Sequence, residues 1–243
     1  KEVDDMARTG DLSDRTTCER AARTVFEGSS TAYDCDTLAP LVTDAVERVT
    51  TGNHTDLNSL RVLVRSGRSA SASRNINGAI IDATPNHETG PSYDARVLII
   101  DGRVEPTETR RDSSITLDAG AGVEAYRSAQ DRISDRVVDT LSTLGVDVLV
   151  AQSVADEVAT DLETSDITML TAVSETDKRF LARTLDVTPV PGVEKAKPAD
   201  TARADIVYDF ENIKTTITTD SSRTVTVELF SNLDAYGVEV KST

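Results

Sequence analysis

The chain has 243 residues, 38% of them hydrophobic, which is enough to bury a core in one large domain or two smaller ones. Forty-two acidic residues against 26 basic ones leave a net charge of −16, which would repel nucleic acid and anionic membrane surfaces and excludes both as partners. Lysine occurs only at Lys1, Lys178, Lys195, Lys197, Lys214 and Lys241, arginine supplies the other cations, and aspartate outnumbers glutamate. This bias resembles that of proteins adapted to concentrated salt, where screening removes the self-repulsion of so acidic a chain; the alternative is an ordinary acidic mesophilic protein.

In chain order, "RTTCERAARTVFE" has helical spacing and breaks at Gly28, and "DTLAPLVTDAVERV" resumes the helical period with Pro40 in a first turn. Cys18 and Cys35 are the only cysteines and have no C-x-x-C spacing, and no segment is apolar enough for a signal peptide or membrane span, so the expected setting is reduced and cytoplasmic. "LRVLVR" and "GAIID" read as strands buried on both sides, and "ARVLIIDG" is a third, ended by the turn pair Asp101-Gly102. The stretch from Gly122 to Gly145 carries a broad apolar stripe and reads as a helix stopped by Gly145.

Next come a strand, "VDVLVAQ", a helix, "SVADEVATDLE", with Ser153 as its cap, a strand, "DITMLTAV", and a helix opened by "SETD" with acid in its first turn. Strand and helix alternating in short order predict an α/β unit with parallel strands. Beyond Ala204 the alternation around "TTDSSR" predicts an antiparallel hairpin, and "YGVEVKS" reads as a last strand.

No motif in this chain carries chemistry by itself. "DAGAGVEAY" has Gly120 and Gly122 before a helix but lacks the third glycine and the Lys-Ser/Thr of a phosphate loop. His54 and His87 lie in separate loops, and no local spacing supplies the further ligands of a zinc site. The acid pairs Asp4-Asp5, Asp34/Asp36 and Asp156-Glu157 read as solvated in so acidic a chain, and no G-x-S-x-G elbow is present. No catalytic residue and no metal are expected.

Taken in order, "LRVLVRSG", "NGAIIDATPNH", "ARVLIID" and "GVDVLVAQSVADEVATDLETSDITMLTAVSETDKRFLART" resemble the middle of a group II chaperonin subunit of the thermosome type, archaeal and of haloarchaeal character. The matching positions are Gly78 and Asp82; Pro85 and Pro91; Ala95 and Val97; Gly145, Asp147 and Val148; Asp156, Glu157 and Ala159; Leu162; Ile167; and Asp177, Leu181 and Ala182. The resemblance implies a chaperonin apical-domain-like α/β core with an antiparallel hairpin, attached to a helical/β intermediate domain. Residues 1–83 would be intermediate, 84–236 apical with a helical protrusion near 112–135, and 237–243 the start of the returning intermediate segment. On this reading "GAIID" and "RVLIID" flank an interdomain hinge at Ile81, Asp82, Ala83, Thr84, Tyr236 and Gly237, and the proline-bearing loop is the crossing.

The resemblance also implies a function. Val123 and Tyr126 match apolar positions of the protrusion that captures non-native proteins in the family, although helical spacing alone equally fits core residues. The family's nucleotide-sensing loop has a lysine after its glycine, whereas this chain has Gly28 followed by Ser29, which carries no charge to hold a phosphate. The family's phosphate-binding and catalytic segments are absent from these residues, so no cofactor is expected in this chain, while ATP and Mg are implied for a full-length member. The implied partners are non-native client proteins and, at full length, other subunits in a double ring. Since the chain opens on Lys1, it reads as a piece of something longer. The rival reading is a free-standing apical-type holdase or ligand-binding α/β module without ATPase activity.

Overall fold

A computed structural model describes residues 14–27, 35–52, 54–85, 87–105 and 134–231. The chain divides into two compact units: Lys1–Asn77 together with Arg223–Thr243, and Gly78–Ser222.

The first unit opens with a helical hairpin, α1 (Arg15–Glu27) and α2 (Cys35–Arg48). Asp14 starts α1, because its carboxylate accepts from Thr16 N at 3.2 Å and from the Thr17 hydroxyl at 2.6 Å. That hydroxyl is the main reason the Asp14 carboxyl is held below its ordinary value. Arg15 of α1 meets Glu47 of α2 at 2.9 Å, and Arg23 pairs with Asp36. Because α2 begins at Cys35, Pro40 falls in its second turn and not its first, so the helix forgoes one backbone hydrogen bond there.

After a two-rung ladder of β1 (Thr50–Thr51) and β2 (His54–Thr55), β3 (Leu60–Ser66) and β4 (Arg74–Ile76) join β13 (Val225–Ser231) in a sheet ordered β3-β13-β4. The central strand β13 runs parallel to β3 and antiparallel to β4. Val225 and Val227 pack under Ala45 of α2 and Val49, which follows it. The expectation that "LRVLVR" is covered on both sides fails here, since Val62 and Val64 are 53% and 57% exposed.

The second unit is built on a six-stranded sheet. It contains β5 (Gly78–Ile81), β6 (Ser92–Ile99), β8 (Val148–Val150), β10 (Thr168–Leu170), β11 (Thr201–Asp209) and β12 (Lys214–Thr218), ordered β10-β8-β6-β11-β12-β5. A short β7 (Arg103–Val104) pairs in parallel with β9 (Ser153–Val154) beside it. As the alternating pattern predicts, β6, β8 and β10 are parallel and are linked by helices: α3, described over 134–144, and α4 (Asp156–Thr164). α5 (Glu175–Leu185) follows β10.

Both faces of this sheet are covered. Phe180, Leu181 and Leu185 of α5 pack on Ile81, Val97, Ile99, Val148, Ile206 and Ile217, while Leu141 of α3 and Val158 and Leu162 of α4 pack on Leu98, Leu149 and Met169. Parallel strands closed between helix layers must be apolar on both sides, which is why "VLV" and "VLII" run without alternation.

Two local expectations change. Ser153 lies in β9, and α4 starts from Ala155 without a side-chain cap, its first turn carrying Asp156 and Glu157 instead. By contrast Ser174 does cap α5, accepting from Asp177 N at 3.1 Å. The hairpin joins β11 to β12 through residues 210–213, where Asn212 donates to Asp209 and Ile213 takes a left-handed φ of 53°. "TTDSSR" is therefore the chain's second passage between units, leading from β12 to β13.

Candidate functional site

Of the expected site residues, Ile81, Asp82, Ala83 and Thr84 are described, whereas Gly28, Ser29, Val123, Tyr126, Tyr236 and Gly237 lie outside the described residues, as do Gly120 and Gly122. Ile81, Asp82 and Ala83 each meet β12. Ile81 is fully buried in β5 opposite Thr215 of β12. Asp82 pairs with the ammonium of Lys214, and the fully buried Thr215 hydroxyl donates to the Ala83 carbonyl at 2.6 Å. At the start of the same strand a Cβ on Gly78 would stand 2.1 Å from the Ile217 carbonyl oxygen, so only glycine allows β5 and β12 to approach this closely.

The compact units divide elsewhere than at the proline-bearing loop. β5 and β6 belong to one sheet, and the loop between them stays within the second unit. The units divide between Asn77 and Gly78 and between Ser222 and Arg223, not at 83/84 and 236/237. The physical reason is pairing: "GAII" finds its partner in β12, and burial of all four residues ties it to the α/β core. The sequence signal lay in Gly78, which opens a run with no polar face.

At the carboxyl end of β6, Lys178 of α5 is 4% exposed and reaches Asp101 at 3.1 Å and Glu175 at 2.9 Å. Burial pulls the lysine down, but its hydrogen bonds to Glu175 and Asp101 outweigh this and hold the ammonium above its ordinary value. The hydrogen bond from Lys178 is likewise the first cause that holds the Glu175 carboxyl below its own. Sequence reasoning missed this cluster, because a lysine in "SETDKRFLARTL" reads as a solvated helix residue.

At the opposite end of the parallel strands a cleft of about 400 Å3 is lined by His87, Tyr93, Asp147, Glu163, Asp166 and Thr168. His87 Nδ1 stands 3.9 Å from Glu163. His54 lies in the first unit, on β2. Among the described residues no group of three His, Cys, Asp or Glu side chains could hold a metal ion, and no helix is long and apolar enough to cross a membrane.

The fold has close relatives. It matches a solved open-state monomer of a group II chaperonin from Methanococcoides burtonii with a TM-score of 0.70 and 17% sequence identity, covering 94% of this chain and 54% of that one. In sequence, Thermosome subunit 2 of Haloferax volcanii is 28% identical over 217 residues, covering 86% of this chain and 39% of the relative. Thermosome subunit beta of Halobacterium salinarum is 23% identical over 220 residues, covering 87% and 40%. The chain thus spans about two fifths of the length of these curated relatives. With residues 1–234 matching the TCP-1/cpn60 chaperonin family, this chain belongs to that family.

Proposed function

We propose that this chain is the client-binding and relay portion of an ATP-dependent group II chaperonin subunit, its second unit serving as the apical domain and its first as the intermediate domain. The observation that carries the reading is the family match over 1–234 on a chain divided into an α/β unit inserted within a helical/β unit. In this reading the helices at about 13–49 relay nucleotide state, and the α/β unit swings as a body whose strands β5 and β12 are locked together. The two passages at 77/78 and 222/223 are then the pivot, in place of residues 81–84.

Capture needs exposed apolar side chains, because an unfolded client carries apolar surface that it cannot bury by itself. Val123 and Tyr126 are assigned that task. ATP and Mg belong to segments outside these residues, and Ser29 in the sensing loop weakens the hold on a phosphate from this side. The acidic, lysine-poor composition and the relatives from Haloferax and Halobacterium support a cytoplasm rich in salt as the working medium.

Aggregation of a denatured test enzyme in concentrated salt, followed by light scattering with stoichiometric chain and no nucleotide, tests the reading. Suppression is expected, and Tyr126→Asp should remove most of it while leaving the thermal midpoint unchanged. A folded chain that leaves aggregation untouched would overturn client capture by the isolated portion. A Tyr126→Asp variant with a large loss of stability would move Tyr126 into the core.

A further inference from the structure

Leu57 to Ile81 is the longest stretch of this chain without an acidic residue. It lies between Asp56 and Asp82 and carries Arg61, Arg65, Arg68 and Arg74, a charge of +4 within a chain of −16. The fold gathers three of these arginines on one face of the three-stranded sheet. α2 covers the side of β13 that shows Val225 and Val227, so Glu228 and Phe230 look the other way. There Arg65 of β3 and Arg74 of β4 donate to the two oxygens of the Glu228 carboxylate at 2.7 and 2.8 Å. The loop between those strands brings the Arg68 guanidinium over the Phe230 ring, 5.3 Å from its centre. Three guanidinium groups therefore share one carboxylate.

These cations are held in place but only partly engaged. Glu228 is fully buried and Phe230 nearly so, which makes both anchors part of the core. Arg65 is mostly buried and committed to Glu228. Arg74 is 60% exposed and meets that carboxylate through Nε, which leaves its two terminal nitrogens without a partner among the described residues. Arg68 is exposed and makes no ion pair among the described residues. Between them in sequence, Ser69 Oγ accepts from the amide and the hydroxyl of Ser71 at 3.4 and 3.0 Å, so its own proton remains to be donated.

We propose that Arg68 and Arg74, with Ser69, form a docking surface for an extended acidic peptide. Phe230 and Glu228 are alternate residues of β13, so the two guanidiniums that rest on them are offset by about 7 Å along the strand. Same-side carboxylates of an extended peptide repeat at about that distance. Each guanidinium can take one carboxylate as a planar, charge-assisted pair, a contact that survives salt better than attraction at a distance. The surface is open, whereas the cleft described above lies in the second unit, so the ligand is one held by repeated contacts and not by enclosure. Nucleic acid fits less well, because the strongly acidic remainder of the chain repels a polyanion that extends past the patch.

Fluorescence anisotropy of a labelled hexa-aspartate peptide, titrated with the 243-residue chain at several potassium chloride concentrations, tests this assignment. Saturable binding is expected, and Arg68→Ser and Arg74→Ser should each weaken it by about tenfold. Arg136→Ser, at an exposed arginine of α3 in the second unit, should leave it unchanged. The thermal midpoint of Arg68→Ser should stay at the parent's value, since Arg68 sits on an exposed loop. A folded chain that does not bind the peptide, or binding that survives both substitutions, would overturn the proposal. An oligothymidylate of six nucleotides that binds more tightly than the peptide, with the same dependence on Arg68, would overturn it too and assign the surface to phosphate.

Discussion

The two larger sheets among the described residues treat apolar runs in opposite ways. Gly78, Ala79, Ile80 and Ile81 are buried between two layers, whereas Val62 and Val64, in the strand LRVLVRS, stand more than half exposed. The difference lies in what covers each sheet. The six-stranded sheet has α5 on one face and α3 with α4 on the other, while the three-stranded sheet has α2 over its central strand. Apolar content therefore announces that a strand will be covered, and the number of packed layers decides how much of it is covered by the described elements.

The sharpest way to break the contrast is at Gly78. In Gly78→Val the new Cβ would meet the Ile217 carbonyl at 2.1 Å, where neither backbone can give way without unzipping β5 from β12. A loss of about 3 kcal/mol or more is expected in urea unfolding, concentrated in the second unit. A variant as stable as the parent would show that the two strands are not pinned there, and the reason for placing 78–84 inside the α/β unit would fall.

The first unit depends on charge where the second depends on packing. Glu228 is fully buried at the centre of its sheet and is held by Arg65 of β3 at 2.7 Å and Arg74 of β4 at 2.8 Å, so a single carboxylate ties both outer strands to β13. Glu228→Ala strands two guanidinium groups beside a fresh void, at an expected cost of about 2–3 kcal/mol, less than for a wholly enclosed pair because Arg74 is 60% exposed. Arg74→Ala, which removes only that solvent-facing partner, should cost under about 1 kcal/mol. Equal losses in the two variants, measured by the same unfolding curves, would mean that the carboxylate needs both arginines and that solvent does not substitute for either.

Much of this was legible in the residues, and the failures share a cause. Alternation of period 3.6 located α1, α2 and α5, the unbroken runs "VLII" and "VLV" announced a parallel sheet between helix layers, and Gly145 at φ 65° ends α3 where expected. What could not be read was pairing over long separations. "TTDSSR" has the composition of a hairpin turn, yet the strands on its two sides enter different sheets, and the hairpin forms instead around Asn212, whose side chain caps Asp209. Nothing local in "GAII" says that its partner lies 134 to 140 residues ahead, from Thr215 opposite Ile81 to Thr218 opposite Gly78. Lys178 was unreadable because its burial depends on Asp101, which arrives from another strand.

The smallest expected effect lies in that lysine cluster and separates its two charges by pH. The Glu175 carboxyl is depressed below its ordinary 4.5, first by the hydrogen bond from Lys178 and then by that residue's charge. A carboxylate of this kind supports the fold above its unfolded value, and the support is lost as pH falls through the depressed one. For Lys178 burial works against the ammonium, but Glu175 and Asp101 prevail and raise it above 10.5, so its contribution survives acid and is lost only as pH rises through the raised value. Lys178→Met keeps the buried volume and removes the charge that depresses Glu175. Its thermal midpoint at neutral pH should stay within about 4 °C of the parent, because replacing a buried ion by a packed apolar group is often nearly neutral. Below about pH 5 its midpoint should fall less steeply than the parent's, since Glu175 no longer takes up its proton at a lowered pKa. Parallel acid limbs in the two proteins would mean that Arg179, 3.3 Å from the same carboxylate, carries the interaction, and that the buried lysine serves the helix by packing alone.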